Sequence, residues 1–150
     1  MSRLLSTPCI GICSSGMGDD VCRGCKRFAY EVIDWNAYTE QERQLIKERL
    51  DNFLIKIITL KLQLVDLKRL KFMLNEEHIA FVQAQSPYLW IYDLLKVRSQ
   101  QEIDPQAWGF RVHQDHQHLS IQSLHESIEE EFFELSKAHY ERYIAPGAVN

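Results

Sequence analysis

Apolar residues recur along the chain at two periods, and the changes of period divide it into elements. Phe28, Val32 and Trp35 fall four and three apart, which predicts a short helix over 28–38. Thr39-Glu40-Gln41-Glu42 follows as a capping box: the Thr39 hydroxyl is placed to accept the Glu42 N–H, and the Glu42 carboxylate to reach back. Leu45, Ile46, Leu50, Phe53, Leu54, Ile57 and Ile58 then mark one face of a long helix. At Thr59 the period becomes two: Leu60, Leu62 and Leu64 alternate with Lys61 and Gln63, predicting a strand over 60–64. Asp66 is placed to cap a helix through Leu67, Leu70 and Leu74. Ser86-Pro87 starts another, carrying Leu89, Ile91, Leu94 and Leu95. Asp104-Pro105 is a weaker start of the same kind. Gly109 to His113 predicts a second strand, pairing with 60–64. Ser120 caps the last helix, with Leu119 and Leu124 at the spacing of a hydrophobic staple. Its buried stripe is Leu124, Ile128, Phe132 and Leu135, its outer face Glu126, Glu130 and Glu134, and Pro146-Gly147 ends it.

The first 27 residues have neither period. Gly11, Gly16, Gly18 and Gly24 stand among cysteines and serines, the composition of irregular backbone folded around something. The expected fold is mainly α: an N-terminal four-cysteine metal knuckle, then a helical body with a two-stranded β element over 60–64 and 109–113. Residues 1–58 would hold the knuckle and a helical hairpin. Residues 59–150 would form a mainly helical region packed on it, as a second domain or as one continuous domain, since no linker composition marks a boundary.

A length of 150 residues suits one ordinary domain, and 45% hydrophobic residues supply a core without staples. No apolar run approaches the ~18 residues needed to span a bilayer. The apolar stretch at Leu4-Leu5 is too short for a signal peptide, so a cytoplasmic location with reduced thiols is expected. The net charge of -4 argues against a general nucleic-acid or membrane role. The charge is uneven: residues 1–75 hold 12 Lys/Arg and 9 Asp/Glu (+3), leaving 5 and 12 (-7) for 76–150. That asymmetry is too weak to name a partner.

All four cysteines fall within 17 residues, as Cys9-x3-Cys13-x8-Cys22-x2-Cys25, with none in the 125 that follow. Each pair is close enough for both sulfurs to reach one ion, and the connection with Gly16 and Gly18 can reverse the chain between pairs. Four soft thiolates select zinc or an iron–sulfur centre and disfavour magnesium or calcium. Gly24 permits a tight turn inside the second pair. Arg23, Lys26 and Arg27 stand beside it, as suits a four-thiolate site of charge -2, and could also form a basic rim that meets a partner. Two competing readings are weaker. Four unrelated buried cysteines would not cluster so, and a redox pair at Cys22/Cys25 lacks the preceding strand of a thioredoxin-like motif.

These motifs resemble a known family. Thr7-Pro8-Cys9-Ile10-Gly11-Ile12-Cys13, Val21-Cys22-Arg23-Gly24-Cys25-Lys26-Arg27, Glu31-Val32-Ile33-Asp34-Trp35 and Glu42-Arg43 look like the bacterial domain of unknown function 1289, commonly described as a predicted iron–sulfur protein. Ser86-Pro87 with Trp90-Ile91-Tyr92-Asp93-Leu94-Leu95, and Glu134 to Tyr140, are similar to longer proteobacterial members. The resemblance implies Cys9, Cys13, Cys22 and Cys25 as metal ligands and a bacterial origin; it implies no reaction.

Other signals carry less. His113-x2-His116-x-His118 has spacings that put no three imidazoles on one face, so it reads as a solvated loop. Glu129-Glu130-Glu131 reads as a solvated helix face, and Tyr88, Trp90, Tyr92, Trp108 and Phe110 as core. No phosphate-cradling glycine loop or nucleophile elbow occurs. Two classes of function fit. One is a non-catalytic module, folded by structural zinc, that acts through a protein partner. The other is an iron–sulfur protein that transfers electrons or senses oxidants. An enzyme working through the metal fits less well, because four protein thiolates leave no open position.

Overall fold

A computed structural model of the chain describes residues 20–145. They form five α-helices and one two-stranded antiparallel sheet, so the fold is mainly helical as the periodicity predicts. The described chain divides into two compact units, one of residues 20–53 and 130–145 and one of residues 54–129.

The first unit opens on a hairpin closed by a bridge between Val21 and Phe28. Phe28 then caps helix α1 (Ala29–Ile33), and a 3-10 turn follows over Trp35–Ala37. The single helix expected over 28–38 is therefore broken at Asp34, which sits at φ −92°, ψ 4°. The β-branched pair Val32-Ile33 and an aspartate are poor at carrying a helix onward. Helix α2 (Glu40–Thr59) starts on the expected box: Glu42 N donates to Thr39 Oγ1 at 3.2 Å, and Thr39 N to Glu42 Oε1 at 3.0 Å. Its face departs from the pattern at one end. Leu45 is 60% exposed, and the buried stripe begins about a turn later.

In the second unit Leu54, Ile57 and Ile58 of α2 are buried. Strands β1 (Leu62–Leu64) and β2 (Phe110–Val112) pair with Leu62 opposite Val112 and Leu64 opposite Phe110. The outward pair, Gln63 and Arg111, is joined by a side-chain hydrogen bond of 2.8 Å. Leu60 is not in the strand. The end of α2 claims its N–H and that of Lys61, through Ile57 O and Ile58 O, so the paired strand starts at Leu62, with Lys61 contributing only its carbonyl, to His113 N at 2.8 Å. Leu60 is consequently exposed, and Lys61, expected to face water, is buried.

Three helices start on the caps the sequence offers. Helix α3 (Leu67–Glu76) is capped by Asp66, which accepts from Arg69 N. Helix α4 (Pro87–Val97) is capped by Ser86, which accepts from Tyr88 N, and buries Leu89, Trp90, Ile91, Leu94 and Leu95. Helix α5 (Ile121–Tyr143) is capped by Ser120, whose Oγ accepts from Ser123 N at 3.1 Å. Asp104-Pro105 starts only a 3-10 turn, Pro105–Trp108. Leu124 and Ile128 of α5 are buried in the second unit, Phe132 in the first. Leu135 is half-buried, and Glu126, Glu130 and Glu134 are exposed. Phe133 and Ser136 are buried as well, so the stripe is wider than the sequence reading. The Pro146-Gly147 stop lies outside the described residues.

Gly109 joins the 3-10 turn to β2 and tolerates no side chain. Its φ is +80°, its carbonyl accepts Val65 N and Asp66 N, and a Cβ would lie 2.4 Å from Asp66 O. The left-handed conformation alone costs a non-glycine residue about 1–2 kcal/mol. Gly109→Ala adds a backbone collision, so a loss of at least ~2 kcal/mol is expected in urea unfolding followed by α4 tryptophan emission. A change under a few tenths of a kcal/mol would mean that the turn relaxes freely.

Candidate metal centre

Of the four predicted ligands, Cys22 and Cys25 are described; Cys9 and Cys13 lie outside the described residues, and so does the knuckle as a whole. Cys22 and Cys25 are both buried. The hairpin between Val21 and Phe28 sets them on a tight turn. Cys22 N donates to Arg27 O, and Lys26 N donates back to Cys22 O, each at 2.8 Å. Such a turn needs a left-handed residue, and Lys26, directly after the second cysteine, takes it at φ +66°. Gly24 is packed inside the turn, its carbonyl accepting Lys26 Nζ at 3.0 Å.

The sulfur of Cys25 has a specific partner. Arg27 Nε donates to Cys25 Sγ at 3.1 Å. Burial holds the Cys25 thiol above its ordinary pKa, against the pull of the Arg27 hydrogen bond and guanidinium charge. Hydrogen-bond donors aimed at sulfur stabilise the thiolate over the thiol.

The basic residues beside the pair do not all form a rim. Arg23 is exposed, with its guanidinium 4.3 Å above the Phe133 ring. Lys26 and Arg27, expected to face a partner, are each only 2% exposed. Lys26 Nζ lies 5.4 Å from the Phe132 ring centre, and the Arg27 guanidinium 4.8 Å from that of Trp35. Nothing in the local pattern signals this burial. Charged residues are seldom fully buried, and the aromatic neighbours lie outside the cysteine motif, Phe132 more than a hundred positions away.

Sequence reasoning also missed the ion pair that braces the turn. Glu31 is buried, its Oε1 accepting Phe28 N at 2.9 Å. Arg49 of α2 grips both carboxylate oxygens, at 2.8 and 2.6 Å, and lies 4.1 Å over the Phe28 ring. Arg43 donates to Trp35 O at 3.0 Å. Phe28 packs with Val21, Phe133 and Tyr140, so the residue that closes the cysteine hairpin is seated on α5.

His139 belongs to the same cluster. It stacks on Phe28 at 5.9 Å, meets Phe53 edge-on at 5.3 Å, and lies 4.9 Å from Tyr143. Burial and the neighbouring Arg49 charge hold its pKa below the ordinary histidine value, against an opposing pull from Glu31. The neutral ring is thus the one the fold prefers. Stability from this group is complete above the unfolded value near ~6.5 and is lost as pH falls through the lower folded value. The thermal midpoint of the first unit should accordingly fall on acidification, and His139→Phe should flatten that fall. An identical pH profile in His139→Phe would count against the assignment.

His113 and His118 are exposed, and His116 Nε2 sits 3.5 Å from Lys61 Nζ. Among the described residues no group of three His, Cys, Asp or Glu side chains is placed to hold a metal. No described helix is long and apolar enough to cross a membrane.

Among the described residues the geometry is that of a mainly helical protein with a thiol-bearing hairpin ahead of its helices. Residues 7–53, roughly a third of the chain, match the model of a family described as a protein of unknown function (DUF1289). No curated protein and no solved structure matches the chain.

Proposed function

We propose that Cys9, Cys13, Cys22 and Cys25 hold one metal ion, structural zinc, and that the protein is a non-catalytic module acting through a protein partner. The observation that supports this is the Cys22–Cys25 turn. Two buried cysteines sit on a closed hairpin with a left-handed residue after the second, and the Arg27 Nε–H bonds one sulfur. That donor set and that turn suit a divalent ion bound by thiolates, which the second pair, Cys9 and Cys13, completes to four. Zinc would supply folding energy to a segment poor in large apolar side chains and no reaction, since four thiolates leave it no open position. Arg23 is the exposed basic residue of the turn, whereas Lys26 and Arg27 are withdrawn into the interior. The protein is read as cytoplasmic, where thiols stay reduced.

Metal analysis of protein purified without oxygen tests the reading. One zinc per chain, with a colourless solution and no titratable thiol until denaturation, is the expected result. Full reactivity of all four thiols in the folded chain would overturn it. The second reading, an iron–sulfur centre with an electron-transfer or oxidant-sensing role, is favoured by one contact. The Arg27 bond to Cys25 Sγ is of the kind that tunes cluster potentials. Visible absorption with stoichiometric iron and sulfide would select it.

A further inference from the structure

Arg27 presents an unusual balance of charge. Its side chain is 2% exposed, and a buried cation without a counter-charge is strongly disfavoured. The carboxylate nearest in sequence, Glu31, has both oxygens taken by Arg49. Among the described residues no carboxylate bonds or pairs with Arg27; its acceptor is Cys25 Sγ, at 3.1 Å. Its flat face is meanwhile held against Trp35 at 4.8 Å, with the Arg43 guanidinium 5.8 Å from the same ring. A guanidinium gripped on its face and aimed through Nε at one sulfur is pre-organised for an anion at that sulfur. A neutral thiol offers no such charge; a metal tetrathiolate of charge -2 does.

From this we infer that Arg27 is the fixed counter-cation of the four-cysteine centre: a positioning residue that holds Cys25 Sγ, slows metal release, and is itself held in line by Trp35. The inference rests on the four-thiolate reading and adds what retains the ion. A hydrogen bond to sulfur withdraws electron density, so it lowers the energy of the sulfur donor orbitals as well as orienting them. Metal leaves such a site as its thiolates are protonated one by one, and a cation bonded to Cys25 Sγ disfavours protonation there. Lysine at 27 would keep the charge and a donor but not the planar stack, and should restore part of the effect.

Cobalt(II) is the probe, loaded into the full chain and into Arg27→Gln, Arg27→Lys and Trp35→Phe, with release to a chelator followed optically. The parent should show sulfur-to-cobalt charge-transfer absorption. In Arg27→Gln this absorption should move to lower energy and release should quicken by about 10-fold, the weight of one charge-assisted hydrogen bond. Arg27→Lys should fall between, and Trp35→Phe should keep the parent spectrum with a smaller rise in rate. A merely structural role would not shift the charge-transfer band. Parent band and parent rate in folded Arg27→Gln overturn the inference and leave the metal reading intact. If Arg27→Gln does not fold, Arg27→Lys decides by the same two readouts. Parent protein that takes up no cobalt overturns the four-thiolate reading itself.

Discussion

Cys22→Ser is expected to free the hairpin at residues 20–28 while leaving the helices of residues 54–129 folded. The hairpin is closed by few backbone bonds: Cys22 N to Arg27 O, Lys26 N to Cys22 O and Ala29 N to Asp20 O. Apolar packing at Val21 and Phe28 is its other support. In a segment this short, metal-binding free energy is also folding free energy. Hydrogen exchange reads the outcome at those three amides. Each should lose about 100-fold or more of its protection on metal loss, a local opening and not global unfolding. The amides of α4 should keep theirs, because the core that protects them does not involve the hairpin: Ile91, Leu94 and Leu95 are fully buried and belong to the second unit. Chelation of the parent should reproduce the mutant. Equal protection at Cys22 and Lys26 in both proteins would show that the turn stands without metal.

What the sequence made legible was local. Asp66, Ser86 and Ser120 cap helices because a short polar side chain reaches an N–H two or three residues on, a matter of chain geometry alone. The pairing of β1 with β2 was legible too, although Gly109, read as part of the second strand, is the left-handed residue that ends the 3-10 turn before it. Leu45 and Leu60 show where periodicity fails: it marks a face but not the point at which the core ends. Lys61, Lys26 and Arg27 fail in the opposite sense, as cations that tertiary contacts draw inside. For the site, the cysteine spacing was plain. Its surroundings were not, because Glu31 meets Arg49 across 18 positions and Phe28 meets His139 and Tyr140 across more than a hundred.

Glu31→Ala should be the most damaging single change outside the cysteines. Its carboxylate does three things from a buried position: it caps α1 by accepting Phe28 N, and it takes two hydrogen bonds from Arg49. Alanine leaves the Phe28 amide without its acceptor and strands a guanidinium that is 19% exposed over the Phe28 ring. Breaking a buried pair from one side costs roughly 3–5 kcal/mol, and the partial exposure of Arg49 places the expected loss near ~3 kcal/mol. Because Phe28 closes the cysteine hairpin, the damage should reach the metal as well: Glu31→Ala should release cobalt faster than the parent. The double variant Glu31→Ala, Arg49→Met distinguishes a stranded charge from a lost brace. It removes the uncompensated cation, so stability should partly return, by about 1–2 kcal/mol. Metal release should stay fast, since the Phe28 amide is still uncapped. A double variant no more stable than Glu31→Ala would show that the cost lies in the cap and not in the ion pair.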